Sequence, residues 1–279
     1  MTAHFAAFSF VDRITEFIAG TRARGFFWVP LGIKVFPSCL VAEAVGQLAA
    51  WVAMSKVDFR GRPVAALATE TRFQGVVLPG DVLQLAVDVA DCDDDRVAYG
   101  GSAFVEGRQV IDLEHCLGPM LPVEDFDAPD ALRERLELLR NQGAPRGRFQ
   151  GVDLPETILL EHVPGKSLRA TLNVPRQATF FADHFPRSPV FPATLLLDAQ
   201  IRVAAQLVEK SCGPQFASPL ASRMTHVKMR AFITPGQEVE LEATLSSRDA
   251  TAARVMLSAK VAGKSVATAR VDFAARDPS

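Results

Sequence analysis

The chain has 279 residues, of which 48% are hydrophobic and 22% charged, and its formal net charge is −2. This composition describes a soluble globular protein with a substantial core; it excludes a disordered chain and supplies no basic surplus of the kind nucleic-acid binding uses. The cysteines Cys39, Cys92, Cys116 and Cys212 form no Cys-x-x-Cys pair and are too sparse for a disulfide scaffold, so reduced thiols in a cytoplasmic protein are expected.

Residues 1–5 lack the basic flank, apolar core and small-residue cleavage site of a secretory signal. The first strong element is a helix over residues 38–54, apolar almost all round, as expected for a helix wrapped by sheet. Its apolar run, interrupted by Glu43 and Gln47, falls short of the ~20 residues of a membrane span, so a core helix is predicted and no span. Alternating segments at 82–89 and 97–104 follow, separated by Asp93-Asp94-Asp95-Arg96, and read as antiparallel strands joined by a solvated turn. Residues 125–151, rich in charge, Pro and Gly, form a linker holding a helix that opens at Pro129 and runs to Arg140. A second apolar helix covers 193–210, and further alternating strands cover 239–245 and 253–261. The order is an α+β pattern.

The chain also repeats itself. Phe36-Pro37 pairs with Phe191-Pro192 and Glu43-Ala44 with Asp198-Ala199, both at a separation of 155 (191 − 36, 198 − 43). Pro79-Gly80 pairs with Pro235-Gly236, and Gly107 with Gly263, at 156. Several ordered matches at one spacing indicate duplication. Ahead of the helices the offset drops to 145, matching Glu16–Gly20 to Glu161–Gly165, so the first repeat lacks ten residues in the loop before its helix. The predicted organisation is a first repeat over 1–124 with a shortened loop, a linker over 125–151, and a second repeat over 152–279.

The second repeat's longer loop carries His184-Phe185-Pro186-Arg187-Ser188-Pro189-Val190-Phe191-Pro192-Ala193-Thr194, followed at Asp198-Ala199 by a carboxylate on the helix. A histidine in a Pro-pinned loop ahead of an apolar helix with one acid suits acid-base chemistry on an oily substrate. In the first repeat Glu43 occupies the matching helix position among apolar neighbours, where a carboxylate is costly to bury without partners. Gln47, one turn on, is placed to hydrogen-bond or orient it.

The run from His184 to Ala199 resembles the signature of the hotdog-fold 3-hydroxyacyl-[acyl carrier protein] dehydratases, in type and in spacing. The resemblance implies a double hotdog, two antiparallel sheets each around a long helix, within one chain. It implies elimination of water from a 3-hydroxyacyl thioester in fatty acid or polyketide-type synthesis, with no cofactor and no metal. In single-repeat relatives the histidine of one subunit meets the helix carboxylate of the other. Transferred here, that rule pairs His184 as base with Glu43 as acid, and leaves Asp198 opposite a loop without a histidine. Asp198 is the reserve acid, its alternative being a relic carboxylate satisfied by Arg202 at i+4. Ala193 and Thr194 stand where free helix N–H groups would meet the thioester oxygen, with Gln47, Phe185 and Pro192 around the substrate. Ala193 and Arg187 replace glycines common in the family.

The implied partner is an acyl carrier protein presenting a phosphopantetheine-linked acyl group, or acyl-CoA, with Arg187, Arg223, Lys228 and Arg230 as basic candidates for its acidic surface. A homodimer of double hotdogs and an added enoyl isomerase step stay open. So do two other functions, a hotdog acyl thioesterase and a non-catalytic acyl-carrier binding or scaffold subunit. Cys39 reads as core filling, and His115, His162 and His226 as structural, at no metal-ligand spacing. No Gly-rich phosphate loop, nucleophile elbow or His-Glu-x-x-His pattern is present.

Overall fold

The structure is a computed structural model that describes residues 7–145 and 148–275. Residues 1–5, read above for a signal, lie outside the described residues. In chain order the elements are β1 (Arg13–Ile18), β2 (Arg22–Trp28), α1 (Ser38–Lys56), β3 (Gly61–Pro63), β4 (Leu67–Phe73), β5 (Val82–Cys92), β6 (Arg96–Val105) and β7 (Arg108–Pro122). After these come α2 (Pro129–Asn141), β8 (Thr157–Val163), β9 (Ser167–Asn173), α3 (Ala193–Ser211), β10 (Leu220–Met229), β11 (Glu238–Arg248), β12 (Ala252–Val261) and β13 (Lys264–Ala274). The expected α+β double hotdog is the architecture observed.

The chain forms two compact units that exchange segments: the first takes residues 1–66, 74–153 and 177–190, the second 67–73, 154–176 and 191–279. In the first, antiparallel strands run in the order β1-β2-β5-β6-β7, with β3 added beside β7. Along β5 the side chains of Leu83, Leu85 and Val87 turn inward while Gln84 and Asp88 face outward, the period of two that leaves one sheet face for a core. Helix α1 covers that face with Leu40, Val41, Ala44, Val45, Leu48 and Val52. Pro37 precedes it in extended backbone, so the ladder starts with Leu40 N–H donating to the Pro37 carbonyl. It is not buried all round, as its composition suggested. Ala42, Glu43, Gly46, Gln47 and Ala50, at helical spacing, form a partly accessible stripe. Helix α2 opens on Pro129, carries Asp130 in its first turn and Arg140 in its last, and packs Leu132, Leu136 and Leu139 inward beside β1.

In the second unit the order is β4-β10-β13-β12-β11-β9-β8, all antiparallel, with α3 over β11, β9 and β12. The repeat is carried through the backbone: α1 and α3 are offset by 155 at both ends (193 − 38, 211 − 56), and β5 and β11 by 156 at both ends (238 − 82, 248 − 92). The hairpins after β6 and β12 turn on Glu106-Gly107 and Ala262-Gly263, with φ of 50°, 78°, 48° and 74°. Two successive positive-φ residues match the right-handed strand twist, which is why Gly recurs there. Nine residues join β2 to α1 (29–37) and nineteen join β9 to α3 (174–192), the ten-residue difference expected from the change of offset.

The helix and sheet pack closely at Gly101, where an added Cβ would lie 2.6 Å from Val45 Cγ1 and 2.7 Å from the Ala86 carbonyl oxygen. Gly101→Ala is therefore expected to destabilise the protein by about 1–3 kcal/mol, whereas Gly32→Ala, with open space around the new methyl, should stay within about 0.5 kcal/mol. Urea unfolding midpoints at unchanged m-value check both.

Candidate active site

The segment 177–190, which carries His184, belongs to the first compact unit together with α1. A single 3-10 turn, Thr179–Ala182, leads into it, and the His184 N–H closes onto the Phe180 carbonyl at 2.9 Å. His184 and Val190 then clasp each other twice. The Val190 N–H donates to the His184 carbonyl at 3.1 Å, and the Val190 carbonyl lies 3.0 Å from His184 Nδ1. A carbonyl oxygen only accepts, so Nδ1 carries the hydrogen and Nε2 of the neutral ring keeps its lone pair. The His184–Phe185 peptide is cis. The imidazole stacks on the Phe185 ring, with centroids 4.1 Å apart and planes 23° apart, and meets the edge of Phe8 at 5.8 Å.

Burial pushes the imidazole below its ordinary value; the Glu43 carboxylate and the Val190 carbonyl oppose that shift, and the Arg62 guanidinium adds to it. Glu43 is thus an electrostatic neighbour of His184. On α1, Gln47 Nε2 donates to Glu43 Oε1 at 3.0 Å and to the Phe8 carbonyl at 3.0 Å, while Gln47 Oε1 accepts the Phe10 N–H at 2.8 Å. These backbone partners fix which way round the amide lies. Glu43 Oε1 is therefore the oxygen that accepts from Gln47.

The N-terminal segment also reaches the histidine loop. Both the Ala7 and the Phe8 N–H donate to Asp183 Oδ2 at 2.6 Å. Phe10 packs edge-on against Phe27, Phe36 and Phe149 at 5.5, 5.6 and 5.0 Å, anchoring the segment in the core.

Asp198 has a different environment. It lies in the second compact unit, 9% exposed, and Arg202 one turn on donates Nε to its Oδ2 at 2.9 Å and Nη2 to the Pro155 carbonyl at 2.9 Å. Burial raises its pKa and the Arg202 cation opposes the rise. Positions 47 and 202 are repeat equivalents (202 − 47 = 155), so the same helical spacing offers one acid a neutral amide and the other a cation.

Ala193 and Thr194 open α3, and their N–H groups precede the first ladder bond, Leu195 N–H to the Pro192 carbonyl. Phe185 is 5% exposed and packs with Phe126 and Val190. Among the proposed carrier-facing cations, Arg223 already pairs with Glu70 and Asp272, and Arg187 donates to the Glu124 carbonyl. None of the four cysteines forms a disulfide, and no group of three His, Cys, Asp or Glu among the described residues could hold a metal ion.

Arg62, on the short strand β3, was not singled out in the sequence. Its guanidinium carbon sits 4.1 Å from the centre of the Phe185 ring, its Nη1 lies 3.8 Å from Asp127 Oδ2, and the same carboxylate oxygen takes Arg135 Nη1 at 3.3 Å. Burial lowers the Arg62 pKa to about 10 against the opposing pull of Asp127. A desolvated cation over a phenyl ring contributes about 2 kcal/mol.

Known families match each repeat separately: a FabA-like domain over residues 31–114 and an ApeI-like dehydratase over residues 161–269. The chain is 30% identical over 115 residues to the 3-hydroxyacyl-[acyl-carrier-protein] dehydratase FabZ of Lactobacillus helveticus, covering 41% of this chain and 78% of that protein. It is 33% identical over 122 residues to the FabZ of Caldicellulosiruptor saccharolyticus, covering 40% and 87%. Over nearly its whole length it is similar in fold to an acyl-ACP thioesterase from Bacteroides thetaiotaomicron (TM-score 0.54, 10% identity, 90% of this chain and 97% of that one). A similar match is the acyl-CoA thioesterase II TesB2 from Mycobacterium marinum (TM-score 0.53, 12% identity, 95% of each chain).

The depressed imidazole has a consequence for stability. The unfolded chain takes up a proton at His184 near pH 6.5 and the native one only at lower pH, so this contribution is fully present above about pH 6.5 and is lost as the pH falls below it. His184→Gln should flatten that part of the stability profile, as read from denaturation midpoints between neutral and mildly acid pH.

Proposed function

Because the chain belongs to the 3-hydroxyacyl-[acyl-carrier-protein] dehydratase family, we propose that it removes water from a 3-hydroxyacyl thioester, giving the 2-enoyl thioester, at one site built from His184 and Glu43. The observation that carries this reading is the 3.0 Å contact of His184 Nδ1 with the Val190 carbonyl, which commits the Nδ1 hydrogen and leaves Nε2 as the basic nitrogen. Burial lowers the pKa of the ring, in the direction of the unprotonated base.

In the proposed reaction Nε2 takes a proton from C2, and the electron pair left behind forms the C2–C3 double bond as the C3–O bond breaks. Glu43, oriented by Gln47, passes its carboxyl proton to the departing hydroxyl, which leaves as water. The imidazolium then returns its proton to the Glu43 carboxylate, and the site is reset. Gln47 suits this cycle because a neutral amide can hold the carboxyl in either protonation state, whereas a cation in its place would favour the ionised form. That contrast supports reading Glu43 as the acid and the Asp198–Arg202 pair as an ion pair outside the chemistry. The accessible stripe of α1 around Glu43, Gly46 and Ala50 gives an acyl chain an apolar surface to follow.

The proposed donor of the acyl group is an acyl carrier protein through its phosphopantetheine arm, or coenzyme A, in fatty acid or polyketide-type synthesis. The full chain should be incubated with 3-hydroxyacyl and 2-enoyl thioesters on each carrier, and absorbance and product mass followed. His184→Ala and Glu43→Gln are each expected to cost about 10²-fold or more in kcat, and Asp198→Asn to stay within about a factor of three. Release of free acid would move the reading to a thioesterase. Activity that survives Glu43→Gln and fails with Asp198→Asn would transfer the acid to the second unit.

A further inference from the structure

We infer that Arg62 is a positioning residue for His184, acting through the ring of Phe185, in a three-layer stack of guanidinium, phenyl and imidazole. The inference rests on the reading of His184 as the base. The Arg62 guanidinium carbon and the His184 ring centre each lie 4.1 Å from the centre of the Phe185 ring. Two groups at that distance over one face would occupy the same space, so the guanidinium covers one face of the phenyl ring and the imidazole the other. Phe126 closes the edge of the phenyl ring at 5.1 Å, which leaves Phe185 little freedom to tilt without carrying the histidine with it. The guanidinium is itself ion-paired with Asp127 at 3.8 Å, a carboxylate that Arg135 of α2 shares.

The arrangement does two things to the base. It fixes the plane of the imidazole, so that Nε2 points in one direction while the Nδ1 hydrogen stays on Val190. It also puts a permanent cation behind the ring on which His184 rests, where a second cation, the imidazolium, is disfavoured. The charged groups around His184 are Glu43 from α1, Arg62 from β3 and Asp183 from its own loop; Asp127 and Arg135 act on Arg62. Of these, Arg62 pushes the imidazole towards its neutral form by charge, in the same direction as burial, and Glu43 opposes it.

The test uses the full chain with Arg62→Met and Arg62→Lys, and three measurements: titration of the His184 ring by NMR, the pH dependence of kcat and KM, and thermal unfolding. The NMR signal is assigned by its loss in His184→Gln and needs no substrate. In Arg62→Met the imidazole should titrate at higher pH than in the parent, and the acid limb of kcat/KM should move up with it. kcat should fall about tenfold or more, with KM changed by less than about threefold, as expected when a reacting group is misaligned. Arg62→Lys keeps the charge without the flat surface, so the titration should stay near the parent's while kcat recovers only in part. An Arg62→Met protein with the parent's titration and rate overturns the inference. So does a loss of rate that follows the unfolded fraction alone, with the folded fraction titrating as the parent does; if Arg62→Met does not fold, Arg62→Lys with the parent's kcat overturns it. A shifted titration in a protein that turns over no thioester would uphold the coupling of Arg62 to His184 and remove the dehydratase reading instead.

Discussion

The site depends on a few backbone groups of the N-terminal segment that hold two elements at once. The Phe8 N–H binds Asp183, the residue before the histidine, and the Phe8 carbonyl and Phe10 N–H bind Gln47, which holds Glu43. Main-chain donors and acceptors cannot rotate away as side chains can, so the histidine loop and α1 are placed against one rigid reference. Each such bond, if left unmade in a buried setting, costs about 1–3 kcal/mol. The aromatic anchoring of Phe8 and Phe10 makes the segment stiff enough to serve.

Within that frame, the chemistry follows from what stands one helical turn beyond each acid. Glu43 and Asp198 occupy equivalent positions in the repeat, yet Gln47 gives the first a neutral hydrogen-bonding partner and Arg202 gives the second a counter-ion. Similar restraint governs the histidine, whose two ring nitrogens are separated in role by a single carbonyl. Near His184 the protonation state answers to desolvation, to the Val190 carbonyl and to the opposing charges of Glu43 and Arg62, whereas Asp198 faces the Arg202 cation.

Much of this was legible in the sequence because it is written in periodicity. The two long helices, the strands at 82–89 and 239–245, the missing ten residues and the equivalence of Glu43 with Asp198 follow from spacing or from the repeat offset and its change, whereas the pairing of His184 with Glu43 is what the family resemblance implies. The brace at Phe8 was not legible, because it uses backbone groups that every residue has, across 175 positions of chain. Arg62 was hidden for a related reason. It sits on a strand of only three residues, where no period can be read, and its partners Phe185 and Asp127 are far away in sequence. The accessible stripe of α1 was masked by composition, since Ala42, Gly46 and Ala50 read as apolar core wherever they face.

The unequal loops ahead of the two helices, nine residues against nineteen, have a genetic meaning. In an assembly of identical subunits every change is made in all copies, so a deletion that ruins one loop ruins each of them. Joining the copies in a single polypeptide lifts that symmetry, and each can then drift under its own selection. Such independence allows one copy to keep the imidazole loop while the other, with its loop shortened, keeps the carboxylate Glu43 on its helix.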